Sequence, residues 1–157
     1  IVQYENLSVV KQKVGKVTSI QALLGEPKQA LERLLSTTIA PEGSGKEAKL
    51  IAANERPGEE AYDFEYILTL PNQMQIHTWS VAALKQPPRL SNQPPTFGST
   101  PSSLSTSSSS PSSRAAVRTS PSSSAELFTM TFVAPEASCD EMKVKTVKTI
   151  VSEFRVL

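Results

Sequence analysis

Residues 126–156 read ELFTMTFVAPEASCDEMKVKTVKTIVSEFRV, and this stretch decides the fold. Leu127, Thr129, Thr131 and Val133 alternate with Phe128, Met130 and Phe132. That period of two, rich in β-formers, predicts a strand over 126–133. Ala134-Pro135 ends it. Ser138 or Asp140 then offers a helix cap, with Glu141 in the first turn. Val144, Val147, Ile150, Val151 and Phe154 follow at helical spacing and leave Lys143, Lys145, Lys148 and Glu153 facing water. A strand that turns directly into an amphipathic helix lays that helix back across its own sheet.

Working outward, residues 73–85 (QMQIHTWSVAALK) form the next strand. Met74 and Ile76 fall on one face, and His77, Trp79, Val81 and Ala83 on the other. Both faces carry apolar groups, so this strand is expected to be central and covered on both sides. Before it, Tyr62, Phe64, Tyr66 and Leu68 alternate with Asp63, Glu65, Ile67 and Thr69, the clearest strand pattern in the chain. Pro57-Gly58 and Pro71-Asn72 are turns that bound it. Residues 47–56 form another strand, and Pro41 to Gly45 a polar loop. Residues 1–14 read as two short strands or one bent one, interrupted at Asn6. Ser19 caps a short turn through Leu24, Gly25 breaks it, and Pro27 opens a helix whose stripe is Ala30, Leu31, Leu34 and Leu35. The fold class is therefore α+β, a central antiparallel sheet between helices. Tyr62 and Trp79 are expected in the core.

Between 86 and 125 the composition changes. Proline pairs give way to serine runs, and 86–124 contains arginines but no carboxylate. Such a stretch buries too little apolar surface to offset the entropy of ordering. It reads as a disordered insertion in a hairpin loop, leaving 1–85 and 126–157 as a single domain.

The bulk numbers narrow the function. The chain has 157 residues and a net charge of +1. Acid and base nearly balance, which argues against a broad nucleic-acid surface. No apolar run approaches a membrane span. One cysteine, Cys139, excludes an intrachain disulfide and a cysteine-rich zinc site, and one histidine excludes most polyhistidine metal centres. No signal segment is visible, and the strand-like start Ile1-Val2-Gln3-Tyr4 is expected to be a mature or truncated terminus.

Four segments together resemble the PsbP family of thylakoid-lumen proteins: YENLSVVKQKV at 4–14, LGEPKQALERLL at 24–35, YDFEYIL with IHTWSVAAL at 62–84, and the closing ELFTMTFVAPEASCDEMKVKTVKTIVSEFRV. Order, spacing and the final SEFRV carry the likeness, which spans the chain apart from 86–125. Three departures stand out. A serine-rich stretch replaces a tight turn between the last two strands. Cys139 stands where the family has tryptophan. The strand and arm that precede the ENLSV segment are missing. The pattern therefore fits a divergent PsbP-like or PsbP-domain protein. The resemblance implies an α/β/α sandwich of PsbP/Mog1 type. It implies a non-catalytic extrinsic protein of the chloroplast thylakoid lumen, peripheral to the membrane. Its partners would be photosystem II subunits at the oxygen-evolving complex, other extrinsic lumenal proteins or an assembly intermediate, and it would aid calcium retention.

The resemblance also points to divalent cations. The family's histidine at this place is linked to cation binding with a carboxylate on the strand–helix turn, which carries over to His77 and Glu136, with Asp140 close by. One imidazole and one or two carboxylates suit a weak calcium, manganese or zinc site. The other reading of His77 is a packed, hydrogen-bonded residue beside Trp79. Glu55, Glu59, Glu60, Asp63 and Glu65 form the main acidic cluster, either a cation site or a solvated sheet edge. Lys11, Lys13, Lys16, Lys143, Lys145 and Lys148 either meet acidic loops of a partner or form a wet surface. No GxSxG elbow is present, and GSGK at 43–46 is a turn, too short for a phosphate loop. A Cys139–His77 dyad requires both groups exposed and in contact. Two rival functions follow: a Mog1-like module binding a small GTPase around Asp63, by fold analogy, and a metal or thiol enzyme using His77, Glu136 and Cys139.

Overall fold

The computed structural model describes residues 5–87 and 124–156. The reading of 86–125 as a disordered insertion falls, apart from its ends, outside the described residues. Five antiparallel strands form one sheet: β1 (Asn6–Gly15), β2 (Glu47–Glu55), β3 (Ala61–Thr69), β4 (Gln75–Lys85) and β5 (Ala125–Pro135), in the order β1-β5-β4-β3-β2. The central position expected for β4 is the one it occupies. β5 runs to Pro135, two residues past its predicted end, because Pro135 still pairs with Ile76. β1 is a single edge strand, irregular only near Lys13 and Gly15.

Strand register assigns the two faces. Tyr62 pairs with Ala82 and Phe64 with Ser80, while Glu65 pairs with Trp79 and Trp79 with Phe132. Successive residues point to opposite faces, so the tyrosines and the tryptophan serve different cores. On the first face, α1 (Ile20–Leu24), α2 (Pro27–Leu34) and the π-helical turn that continues it (Leu35–Ile39) bring Ile20, Ala30, Leu31 and Leu35 onto Tyr62, Phe64, Tyr66 and Leu84. On the second, α3 (Glu141–Glu153) brings Val147 and Val151 onto Trp79, Val81, Met130 and Ala134. The helix ends follow local chemistry. Ser19 Oγ accepts from Ala22 N at 3.0 Å, and Asp140, not Ser138, caps α3 by accepting from Lys143 N at 2.7 Å. Gly25 ends α1 at φ 81°, a conformation glycine adopts without strain, and its carbonyl accepts the buried Tyr62 hydroxyl at 2.8 Å.

Three assignments are corrected. Met74 lies in the turn before β4, where Leu70 N donates to Met74 O across Pro71–Gln73, so it belongs to no strand face. Ile150 is 46% exposed. At about 100° per residue it sits roughly 80° off the centre of the stripe made by Val144, Val147, Val151 and Phe154. Leu34 does face the sheet, yet it is 40% exposed, because it overhangs an open apolar cleft of about 400 Å³ shared with Leu24, Phe64 and Leu127.

Candidate functional site

His77 lies near the start of β4, opposite Ala134 of β5. That pairing puts the imidazole beside the point where β5 gives way to a 3-10 turn, Glu136–Ser138. His77 is 7% exposed, and both ring nitrogens are engaged. Nδ1 lies 2.7 Å from Glu136 Oε2, and Nε2 lies 3.0 Å from Glu65 Oε1. The ring also stacks on Trp79, with centroids 3.8 Å apart and planes 9° from parallel. Glu65 is held in turn by Lys148 of α3, 3.1 Å from its other oxygen. Two strands, the 3-10 turn and a helix thus fix one imidazole between two carboxylates.

The 3-10 turn explains who joins this site. In a 3-10 helix, side chains at i and i+3 eclipse one another. Glu136 and Cys139 have that spacing, and Cys139 N donates to Glu136 O at 3.0 Å. The ligand atoms of His77, Glu136 and Cys139 lie within 4.8 Å of one another. Asp140, one residue further, is turned toward α3 and serves as its cap. Of the three expected cation ligands, the structure brings His77 and Glu136 together and places Asp140 on the helix end. The Cys139 thiol donates to Pro135 O at 3.3 Å. Burial, then the charge of Glu136, pushes that thiol above its ordinary value. This leaves it protonated near neutral pH, unlike an activated nucleophile.

Four of the five carboxylates of the acidic cluster, all but Glu55, are engaged by internal partners. Arg56, buried and absent from the sequence reading, donates to both oxygens of Asp63 at 2.6–2.9 Å. It also donates to Val151 O and Phe154 O at 2.6 and 2.7 Å, carbonyls at the end of α3. Burial pulls the guanidinium down, but the hydrogen bonds and charge of Asp63, with Glu59, outweigh it and hold Arg56 above its usual value. Glu59 pairs with Arg155 at 2.6 Å, and Glu60 accepts from Ile20 N at 2.6 Å. The surface around Asp63 is therefore a strut between β3 and α3. Among the basic candidates, Lys11 meets Glu126 at 2.8 Å and Lys143 meets Glu5 at 2.5 Å. Lys13, Lys16 and Lys145 make no ion pair among the described residues. Among those residues, too, no helix is long and apolar enough to cross a membrane.

Comparison with known proteins adds two findings. The pattern of the PsbP family matches residues 1–90. CyanoP of Thermosynechococcus vestitus (strain NIES-2133 / IAM M-273 / BP-1) is 41% identical over 69 residues, covering 43% of this chain and 37% of that protein. The aligned stretch thus spans little more than a third of that relative's length. His77 lies inside the segment matched by the family pattern, and Glu136 and Cys139 lie beyond it.

Proposed function

The chain belongs to the PsbP family, and on that premise we propose that it is a non-catalytic extrinsic protein of photosystem II, acting on the lumenal side of the thylakoid. The helices on the two sheet faces are read here as the α/β/α sandwich of PsbP/Mog1 type. Its work is binding: a rigid surface docks on membrane-protein subunits or on another extrinsic protein, and so stabilises the complex or its assembly and helps retain calcium.

The observation that carries this reading is the family match over residues 1–90. Two features of the site support a binding role. The thiol of Cys139 is raised rather than activated, and His77 is clamped between two carboxylates instead of facing a cleft with a nucleophile. Nothing in the geometry favours a GTPase-binding module, since Asp63 is committed to Arg56. The β1 edge gives a surface for docking, with Leu7, Val9 and Val10 each more than half exposed. Thylakoid fractionation followed by native gels tests the reading. Co-migration with photosystem II or an assembly intermediate is expected. A soluble stromal or cytosolic location with no photosystem association would overturn it.

A further inference from the structure

The first sheet face is covered on one side only. α2 packs mainly over β2 and β3. Beyond it the central strand carries the small residues Ser80 and Ala82, which pair with Thr131 and Thr129 of β5. Small side chains lower the floor there, and a cleft of about 400 Å³ opens between α2 and β5, walled by Phe64 and Leu127. Well-packed interiors leave few voids of this size. The hydroxyls along it are turned to the backbone: Ser80 Oγ donates to Met130 O at 3.1 Å, and Thr37 Oγ1 to Arg33 O at 2.7 Å. The lining is therefore apolar in effect, with one charged group, Arg33. Its guanidinium donates to Leu24 O at 2.9 Å, which holds it at the rim. The carboxylates beside it in sequence have other partners. Glu26 accepts from Gln21 at 2.6 Å, and Glu32 lies 3.9 Å from Lys28. Arg33 makes no ion pair among the described residues.

We propose that this cleft binds a single-chain fatty acid, with the hydrocarbon chain over Ala82 between Phe64 and Leu127 and the carboxylate on Arg33. An apolar lining selects an apolar body, since a polar ligand would leave its own groups without partners there. One unmatched guanidinium at the rim selects an anionic head, and a carboxylate accepts two of its N–H groups side by side. Small-molecule pockets run from roughly 300 to 1,000 Å³, and a cleft near the lower end takes one chain, not a two-chain lipid. The site lies on the sheet face opposite His77. It goes beyond the docking role and does not depend on it.

Calorimetry on the purified full chain tests it with no photosystem present, so its failure and that of the docking role are separable. Decanoate, kept below its micelle concentration, is expected to bind one molecule per chain with a negative heat-capacity change, the mark of apolar burial. From hexanoate to dodecanoate the affinity should rise by up to about 4-fold per methylene until the cleft is filled. Arg33→Gln is expected to weaken decanoate roughly 3- to 10-fold and to leave decanol, which lacks the charge, unchanged. Thr129→Phe fills the cleft from the sheet side and should abolish binding without lowering the melting temperature. Amide shifts on titration of the wild-type chain locate the ligand whatever that variant does, and they should centre on Leu24, Ala82 and Leu127. The proposal is overturned if decanoate fails to bind, if the shifts centre elsewhere, or if Arg33→Gln weakens decanoate and decanol alike. Binding to phosphatidylglycerol vesicles but not to decanoate would give the surface to a membrane and overturn it too. A dimer in sedimentation that excludes decanoate would give the cleft to a second copy, with the same consequence.

Discussion

Arg56 shows what a single buried charge does here. Its guanidinium donates to a carboxylate on β3 and to two carbonyls at the end of α3, so its removal takes a donor from three polar groups and leaves the Asp63 carboxylate without its counter-charge. Breaking a buried ion pair from one side costs about 3–5 kcal/mol, and the partial exposure of Asp63 places this case at the lower end. Arg56→Ala is therefore expected to lose about 3 kcal/mol in denaturant unfolding, and Asp63→Asn less. The tyrosines act on pH. Burial holds the Tyr66 phenol above its usual value, against a hydrogen bond with Thr78 that lowers it; burial and nearby glutamates raise Tyr62. With the folded value above the unfolded one, their contribution is complete below about pH 10 and is lost as pH climbs through the folded value. Melting temperature should fall in that alkaline window, and Tyr66→Phe should flatten the decline. Tyr62 and Trp79 could be placed in the core from alternation alone, because period two is a local signal. Arg56 could not: its partners on α3 lie 95 and 98 residues away, and no local pattern encodes them. The pairing of Glu65 with His77 was hidden for the same reason.

At the level of elements, one helix face separates residues that look alike in sequence. Ile150 and Val151 are adjacent β-branched residues, and a five-member stripe cannot say which is covered. Val151 is 7% exposed and Ile150 46%. Val151→Ala should cost about 1–2 kcal/mol, whereas Ile150→Ala should stay within about 0.5 kcal/mol. Equal losses in a thermal melt would contradict the seating of α3. α2 gives the parallel comparison. Leu31 is fully buried, but Leu34 borders the open cleft, so a stripe read from spacing alone assigns both equally. The 3-10 turn after β5 was equally illegible. Its eclipsed spacing selects Cys139 over Asp140 as the neighbour of Glu136, and a three-residue element has too little periodicity to be read from sequence.

For the whole molecule, the sheet order ties the ends of the chain together. β1 from the start pairs along its length with β5 near the end, and α3 then returns over the same sheet. Non-local pairing of this kind makes the sheet depend on β4 and β5 finding their register. That register is continuous from Ile76 opposite Pro135 to Lys85 opposite Glu126. Because Lys85 and Glu126 stand directly across from each other, a hairpin turn of about two to five residues can join the two strands. We take 1–85 and 126–157 as the folding unit, and that division makes a definite prediction. Deleting residues 88–123, which leaves Gln86, Pro87, Ser124 and Ala125 as a four-residue connection, should preserve the sheet signal in circular dichroism. It should leave the melting temperature no lower, since closing a shorter connection costs less chain entropy. It should also keep the Arg56 strut, so that Arg56→Ala destabilises the shortened chain by the same amount as the full one. If the shortened chain instead loses cooperative unfolding, the excised residues contribute to the core, and the division into one domain with an insertion is wrong.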